Sequence, residues 1–256
     1  MFNSIMASRS GMNASQDKLD AISENLANVS TYGYKKVDVS FKDLLSEKVD
    51  RLGTPIYDKD SSNGTGVKTT NWFRNYTQGP LIDTGLSTDL SLEGEGYFKL
   101  TDTDGKDVYT RDGAFKVDEN QELVDANGRR LQLNYLNGRN ASNVKFSDNN
   151  FSVDTNGNIS VLENGVYNVV ANVPIYKGVS INSFNSIGDN LFVPANGAQI
   201  TQSTNTLVHQ KYLENSNVDV AKEMTDMIVT QRAFQLCSKA LTTSDEMWGM
   251  VNSMRK

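Results

Sequence analysis

Apolar residues recur every seven positions at both ends of the chain. The rows near the start are Ile5, Met12, Leu19 and Leu26, and beside them Ile22 and Val29. The row near the end is Val220, Met227, Phe234, Leu241 and Trp248, with Met224 next to it. A seven-residue repeat keeps side chains on one side of a slightly under-wound helix and forms a seam that another helix must cover. Each end is therefore predicted to be a long helix that packs on other helices.

Helix-breaking residues are concentrated between these two stretches. Seventeen of the 19 glycines and all four prolines fall between Gly33 and Gly197. The first helix is predicted over about residues 4–29, and Gly33 can take the left-handed conformation common just past a helix end. The last helix is predicted to be capped at Ser216-Asn217, with Asp219 in its first turn, and to run to about residue 253.

The middle of the chain has the pattern of short strands. Six Asx-Gly pairs, which favour tight turns between antiparallel strands, fall at Asp104-Gly105, Asp112-Gly113, Asn127-Gly128, Asn137-Gly138, Asn156-Gly157 and Asn164-Gly165. Apolar residues also alternate with mainly polar ones at every second position, as in a half-buried sheet. The alternating residues are Leu131, Leu133 and Tyr135, and then Tyr167, Val169, Ala171, Val173 and Ile175.

These patterns together predict an α+β fold, with long N- and C-terminal helices packing in a coiled-coil-like manner and a central antiparallel β-rich domain. The predicted divisions are an N-terminal helix in residues 1–35, an extended linker or loop in 36–75, a β-rich domain in 76–212 and a C-terminal helix in 213–256. Within the linker, Phe41 to Leu45 is predicted to form a short helical turn.

Composition narrows the function classes. The 256 residues are 38% apolar, enough for a packed core. A net charge of −6 argues against nucleic-acid binding, which normally needs a basic face. The single cysteine, Cys237, excludes an intramolecular disulfide and lies in the predicted last helix, where a small buried apolar role is expected. No apolar run is long enough to span a membrane, and the first 30 residues lack the form of a signal peptide.

The sequence offers no catalytic site, and the protein is not expected to be an enzyme. The GxSxG, HExxH and phosphate-loop motifs are absent. Gly94-Glu95-Gly96 is too short for a dinucleotide site, and Asp102 to Asp107 lacks the later glutamate of a calcium loop. His209 is the single histidine, and no pattern supports a catalytic role for it. No metal or cofactor is expected.

Two segments at opposite ends carry a family resemblance. Residues 19–35, LDAISENLANVSTYGYK, resemble the N-terminal signature of bacterial flagellar rod and hook proteins. The run from Leu213 to Asp219, together with Glu223-Met224, Met227-Ile228 and Gln231 to Phe234, resembles the C-terminal signature of the same family. The residues assigned to the two signatures are Asn25, Leu26, Asn28, Thr31, Gly33, Tyr34, Lys35, Ser216, Asn217, Val218, Gln231 and Arg232.

The middle of the chain resembles the rod subgroup of that family. The matching segments are GTGV at 64–67, QGPL at 78–81, LSLEGEGYF at 90–98, YTRDGAF at 109–115 and SIGDNLF at 186–192. The resemblance is greatest to distal rod members. Proximal rod members stay open as an alternative, because Leu90-Ser91-Leu92 replaces a more alanine-rich version common in distal members. Hook-type subunits are a further alternative, although the chain length suits a rod subunit better.

The resemblance implies a structural role. In this family the terminal helices of many subunits pack as the axial inner core of a hollow tube, and the β domain lies outside. The implied partners are further copies, other rod proteins, the hook protein and the flagellar type III export apparatus, with no nucleic acid and no membrane insertion. The implied location is the basal body, after synthesis in the cytoplasm. The expected assembly interface is Ile5, Met12, Leu19, Ile22, Leu26, Val29, Val220, Met224, Met227, Phe234, Leu241 and Trp248.

Several residues keep two interpretations. Phe41 and Leu45 resemble an export-gate motif of rod and hook subunits, and an ordinary amphipathic turn explains them equally well. Asn25 and Asn28 either fix the register between packed helices or are exposed helix residues, and Gln231 and Arg232 fit an ordinary solvated face. A secreted β-domain adhesin or binding module is the alternative of a different class, but it leaves the heptads at both ends unexplained.

Overall fold

The computed structural model describes most of the chain: residues 2–44, 46–48, 62–136, 138–140, 143–147, 150–163, 165–180 and 183–254. The chain divides into two compact units. The first, called the helical unit below, contains Met1–Asn28, Lys36–Asn75 and Val218–Lys256. The second, called the β domain, contains Val29–Lys35 and Tyr76–Asn217. The α+β class predicted from the sequence is confirmed.

Two long helices form the core of the helical unit within the described residues. Helix α1 covers Phe2–Ala27 and helix α2 covers Val220–Met254. At 1.5 Å per residue, α2 is about 50 Å long. Both helices occupy the stretches from which proline is absent, and both lie within a few residues of their predicted bounds.

Helix α2 starts later than the sequence predicts, because its cap is Asp219 rather than Ser216 or Asn217. The carboxylate Oδ1 of Asp219 accepts hydrogen bonds from the backbone N–H groups of Ala221 at 3.0 Å and Lys222 at 3.2 Å. These are two of the donors that a helix start leaves without an intrahelical acceptor. The side-chain nitrogen of Asn217 donates instead to the carbonyl oxygen of Thr77 at 2.9 Å.

Replacing Asp219 by alanine is expected to destabilise the helical unit by about 1 kcal/mol, since the two N–H groups lose their acceptor. Hydrogen exchange should become faster at the first turn of α2. Asp219→Asn is the matched control, because it keeps a side-chain acceptor, and it should retain most of the protection. Equal losses in both variants would show that the cap is not the cause.

Short antiparallel strand pairs complete the helical unit. The strands are β1 (Val37–Asp38), β2 (Phe41–Asp43), β3 (Ser46–Lys48), β4 (Ser62–Gly64), β5 (Val67–Thr69) and β6 (Phe73–Arg74). Strand β1 pairs with β6, β2 with β5 and β3 with β4. The predicted helical turn beginning at Phe41 is therefore wrong: Phe41 pairs with Thr69 across β2 and β5. Leu45 lies outside the described residues.

Side chains of α1 hold strand β5. Thr69 Oγ1 donates a hydrogen bond to Asp17 Oδ2 at 2.6 Å, and the backbone N–H of Val67 donates to Ser10 Oγ at 3.2 Å. Polar residues on one face of α1 thus bind these short strands, and the sequence of the strands alone does not predict this contact.

The β domain contains the remaining strands. These are β7 (Leu81–Asp83), β8 (Leu90–Glu93), β9 (Tyr97–Thr101), β10 (Asp107–Thr110), β11 (Lys116–Val117), β12 (Leu123–Val124), β13 (Arg130–Leu131), β14 (Asn134–Tyr135), β15 (Phe151–Val153), β16 (Asn158–Glu163), β17 (Val166–Asn172), β18 (Ile175–Gly178), β19 (Phe184–Gly188), β20 (Leu191–Pro194), β21 (Ile200–Gln202), β22 (Leu207–Gln210) and β23 (Tyr212–Glu214).

The described strands of the β domain pair antiparallel throughout. The larger sheet has the order β11-β12-β13-β9-β10-β20-β19, and β18 joins β9 to β21. A second sheet has the order β14-β17-β16-β15, while β22 pairs with β8 and β23 with β7. The main core includes Leu90, Phe98, Leu100, Phe146 and Ile159. An aromatic cluster of Tyr97, Tyr109, Phe184 and Phe192 forms a second centre.

The predicted Asx-Gly turns are confirmed at four positions. Gly105, Gly128, Gly157 and Gly165 have positive φ and connect antiparallel neighbours. Gly113 is different, because its φ lies outside the left-handed region. A Cβ at Gly113 would lie 1.6 Å from the carbonyl oxygen of Leu90, so the absence of a side chain allows close backbone contact.

Candidate assembly surface

Helices α1 and α2 pack antiparallel within one chain. The side-chain nitrogen of Asn25 donates to Glu223 Oε2 at 3.1 Å, and a Cβ at Gly11 would lie 2.9 Å from Cys237 Sγ. As residue numbers increase along α1, those of the contacting α2 residues therefore decrease, which makes the two helices antiparallel. Glu223 and Cys237 belong to one heptad row of α2, called the inner seam, in which each residue is buried or half-buried: Glu223, Met227, Thr230, Phe234, Cys237, Leu241 and Ser244. Cys237 is half-buried on this seam.

The predicted interface residues divide into two groups. Ile22 is buried within the chain, and Ile5, Met12, Leu19, Leu26 and Val29 are half-buried. Met227, Phe234 and Leu241 belong to the inner seam and are partly covered by α1, whereas Val220, Met224 and Trp248 are exposed. The buried and half-buried residues are thus already partly covered within their own chain. Contact of either group with a second copy stays a prediction.

A second heptad row on α2 is exposed along its whole length. It consists of Val229, Ala233, Leu236, Ala240, Thr243, Met247, Met250 and Met254, called the outer seam. Its spacings alternate between four and three residues, as a coiled-coil seam requires. From Val229 to Thr243, each of its residues precedes an inner-seam residue by one position. The two seams are therefore about 100° apart around the helix. Leu236 is 68% exposed and Met254 is 86% exposed.

The end of α2 extends beyond α1. The contacts of Asn25 with Glu223 and of Gly11 with Cys237 fix one register, which puts the first residue of α1 level with about Glu246. Among the described residues, no part of α1 therefore lies beside residues 247–254, called the overhang. Its apolar side chains Met247, Trp248, Met250, Val251 and Met254 are all exposed. Exposed apolar patches of this kind are typical of interaction surfaces.

Polar residues fix the position of the helix pair on strand β1. The Asn25 side chain donates to the carbonyl oxygen of Val37 and accepts from the Val37 N–H, each at 2.8 Å. Val37 forms a non-hydrogen-bonded pair with Arg74 of β6, because the flanking Lys36 carbonyl accepts from Asn75, so both its backbone groups point away from β6. The amide of Asn25 therefore substitutes for a neighbouring strand. We call Asn25, Lys36, Val37 and Glu223 the polar clamp.

Two ion pairs support this arrangement. The Lys36 ammonium donates to the buried carboxylate of Glu223, and the Lys18 ammonium donates to Asp38. Burial acts to raise the pKa of Asp38, but hydrogen bonds from Lys18 and the Val39 N–H outweigh it and hold the pKa below its ordinary value. The Asp38 carboxylate is thus stabilised in its charged form.

The β domain contains its own buried charge cluster. Glu214 Oε1 accepts from the Lys35 ammonium at 2.5 Å and from the Gly79 N–H at 3.0 Å. Arg111 Nη1 lies 3.3 Å from Glu214 Oε2. Burial lowers the pKa of Lys35; Glu214 acts to raise it, and Arg111 adds to the lowering. Two cations therefore share one carboxylate here, and we call Lys35, Arg111 and Glu214 the charge cluster.

Most residues of the predicted signatures contact their own chain. Asn25, Gly33, Tyr34, Lys35 and Ser216 are buried, while Leu26, Asn28, Thr31, Asn217 and Val218 are half-buried. The Gly33 N–H donates to the carbonyl oxygen of Glu214 at 2.8 Å, and a Cβ at Gly33 would lie 2.7 Å from the backbone nitrogen of Asp112. Gln231 and Arg232 are exposed on α2, and Phe41 is exposed on β2. The signatures thus contribute to the subunit's internal packing.

The structure also adds residues that sequence reasoning missed. Glu223 and Glu214 both become centres of buried polar contacts, and Arg111 joins the second. The heptad spacing of the outer seam could have been found in the sequence. Because the seam includes alanine and threonine, however, its apolar pattern is weaker than that of the inner seam.

Metal-binding side-chain groups and membrane-spanning helices are absent from the described part of the chain. The described residues contain no group of three His, Cys, Asp or Glu side chains arranged to hold a metal. No helix in the described part is long and apolar enough to span a bilayer.

Three family models match successive parts of the chain. "Flagella basal body rod protein" matches residues 5–35, "Flagellar hook protein FlgE/F/G D1 domain" matches 91–167, and "Flagellar basal body rod FlgEFG protein C-terminal" matches 209–254. The flagellar basal-body rod protein FlgG of Borreliella burgdorferi is 35% identical, with all of both chains covered. That of Buchnera aphidicola from Acyrthosiphon pisum is 34% identical over 96% of this chain and 97% of the relative. The chain belongs to the flagellar basal-body rod protein family.

The family matches coincide with the structural features described above. The rod-protein match at residues 5–35 includes nearly all of α1 and the turn to Lys35, while the C-terminal match at 209–254 includes Glu214 and all of α2. The polar clamp and the charge cluster therefore each join residues of a terminal rod-protein segment to residues elsewhere in the chain. This rod family is one of structural proteins of the flagellar basal body.

Proposed function

We propose that this protein is a structural subunit of the bacterial flagellar rod, at its distal position, and that many copies assemble into a hollow helical drive shaft that transmits motor torque to the hook. The observation that carries this proposal is the exposed outer seam on a helix whose inner seam is already partly covered by α1. Relatives named basal-body rod protein FlgG, 35% and 34% identical over nearly the whole chain, support the distal position.

Burial of the outer seam provides the free energy for association. Each large apolar side chain that is fully buried contributes roughly 1.5–3 kcal/mol in transfer terms, before ordering costs are subtracted. Leu236 and the three methionines of the seam are the main contributors. A helical array requires that one surface of a subunit meet a different surface of the next, because such contacts propagate without closing. Other rod proteins, the hook protein and the type III export apparatus are the further partners we propose.

Replacing Leu236 by aspartate is expected to prevent polymerisation while leaving the subunit folded. A charge on the seam would have to be desolvated in the assembled state, whereas it stays hydrated in the monomer. Analytical ultracentrifugation and negative-stain electron microscopy over rising concentration would measure this. Wild type should form long polymers, and Leu236→Asp should sediment as a monomer with an unchanged circular dichroism spectrum.

Gln235→Asp is the matched control, because it introduces the same residue at the neighbouring exposed position of the same helix. It should polymerise close to the wild-type concentration. Phe234→Asp places a charge on the inner seam and should separate α1 from α2. Unlike the other two variants, it should therefore disrupt the fold of the helical unit. Normal polymerisation of Leu236→Asp would remove the outer seam from the mechanism, and a wild-type chain that stays monomeric at every concentration would contradict self-assembly.

A further inference from the structure

The β domain contains a cavity with a basic wall and an aromatic wall. Its volume is about 190 Å³, far more than the roughly 10–15 Å³ that one water molecule needs. The basic wall consists of Lys35, Arg111 and Lys177, and the aromatic wall of Tyr76, Tyr97 and Phe184. The rest of the lining is Glu95, Gly96, Gly178, Val179 and Ser180.

Positive charge exceeds negative charge around this cavity. Lys35 and Arg111 are almost completely buried and share the single carboxylate of Glu214. Lys177 is half-buried, and no carboxylate of a described residue forms an ion pair with it. Three cations and one carboxylate, that of the exposed Glu95, thus line the cavity, and Glu214 pairs with two of the cations, in a chain whose net charge is −6. Local charge opposite in sign to that of the whole chain favours an anionic ligand.

Arg111 has donor capacity that its contacts within the chain do not use. Its Nη2 donates to the carbonyl oxygen of Gly94 at 2.5 Å. Its Nη1 and Glu214 Oε2 are both buried and form an ion pair at 3.3 Å, yet neither atom makes a hydrogen bond with any described residue. Buried N–H groups normally have an acceptor, so this exception requires an explanation. Burial is the main cause of the lowered pKa of Lys35, and the positive charge of Arg111 adds to the lowering.

We propose that this cavity is a binding site for a carboxylate on a short aliphatic stem. The guanidinium of Arg111 and the ammonium of Lys177 bind the charged oxygens, since charge-assisted hydrogen bonds are the strongest available to such a group. The rings of Tyr97 and Phe184 contact the stem. A small free carboxylate and an Asp or Glu side chain of a second copy share this chemistry, and the second source rests on the proposed rod function.

Titration of the full-length monomer with sodium acetate, followed by amide chemical shifts in ¹⁵N-edited NMR, tests the site. Saturable shifts should be concentrated at Gly96, Gly178 and Ser180. Lys177→Gln should weaken binding about tenfold, equivalent to about 1.4 kcal/mol. Lys116→Gln, at an exposed lysine of β11, is the control and should bind as wild type does. Absence of saturable shifts, or equal binding by Lys177→Gln and wild type, would overturn the proposal.

Comparing acetate binding by monomers and by polymers distinguishes a free carboxylate from a carboxylate side chain of a second copy. If a second copy supplies the carboxylate, polymers should no longer bind ¹³C-labelled acetate, and Lys177→Gln should raise the concentration needed for polymerisation. If the ligand is a free carboxylate, polymers should bind acetate as the monomer does, and Lys177→Gln should polymerise normally. Either result supports the site. A chain that binds acetate and never polymerises would contradict the rod function and leave the carboxylate site in place.

Discussion

Glu214→Gln is expected to lower the free energy of unfolding of the β domain by about 3–5 kcal/mol, the typical cost of leaving a buried charge without its partner. Glutamine has nearly the same shape as glutamate, so the change removes charge and little packing. Lys35 and Arg111 are left almost completely buried with no carboxylate between them. Urea denaturation followed by far-ultraviolet circular dichroism would measure this loss of unfolding free energy.

The effect of Glu214→Gln should also depend on pH. The pKa of Lys35 is already below its ordinary value in the folded state, chiefly through burial. Removing Glu214 lowers it further, so between the folded and the unfolded pKa the unfolded chain binds more protons. Stability of the variant relative to wild type should therefore increase as pH rises from 7 toward 10. A difference that stays constant over this range would show that Lys35 is not the group responsible.

Glu163→Gln provides the comparison for Glu214→Gln. Glu163 forms a bidentate ion pair with Arg139, but both side chains are only half-buried and remain in contact with water. Water can replace this pair, so no measurable loss of stability is expected. Equal losses in the two variants would contradict the special role of the buried charge cluster.

Asn25→Ala is expected to destabilise the helical unit by about 2–6 kcal/mol. The change leaves both the N–H and the carbonyl of buried Val37 without the side chain that satisfies them, and each such group costs about 1–3 kcal/mol. It also removes a donor to Glu223. Hydrogen exchange measured by mass spectrometry should show lost protection in α1 and β1, while the β domain keeps its own.

Asn13→Ala and Asn25→Asp complete this experiment. Asn13 is exposed on the same helix, so its replacement should leave protection unchanged. Asn25→Asp keeps the acceptor for the Val37 N–H but places a second carboxylate beside Glu223, so it should be as damaging as alanine at neutral pH. Retained protection in Asn25→Ala would mean that apolar packing alone holds the helices on β1.

The long helices were predictable because their pattern is local and uninterrupted. The start of α2 was not, since it depends on the β domain: the Asn215 N–H donates to the carbonyl oxygen of Pro80, and the Asn217 side chain donates to Thr77. These contacts keep residues 215–217 out of the helix and leave Asp219 as the cap. Local capping preference could not have revealed contacts with residues so distant in sequence.

The prediction that alternate residues from Tyr167 to Ile175 face the core was only partly confirmed, for a similar reason. Tyr167 and Val169 are exposed, whereas Ala171, Val173 and Ile175 are buried. The pairing of β16 with β17 is irregular between Ile159 and Ser160, and such a bulge changes which face the following residues occupy. The alternation is present in the sequence, but the position at which the row changes face is set by the partner strand.

The buried polar centres were the hardest features to predict. Lys35 and Glu214 are 179 residues apart, and Asn25 and Glu223 are 198 residues apart. Each of these residues, taken alone, fits an ordinary solvated position on a helix or strand. Only the fold shows that the second partner exists, and this is why the sequence could assign these residues to a family signature without assigning them a contact.

The antiparallel register of α1 and α2 determines where the chain can be labelled. Because the first residue of α1 lies level with about Glu246, the start of α1 and the end of α2 lie at the same end of the helix pair, next to the overhang. An affinity tag or fluorescent protein fused to either terminus would therefore occupy the space around Met250 and Met254. The exposed turn at Gly105, where an added Cβ meets nothing within 4 Å, offers an insertion point that leaves both ends unmodified.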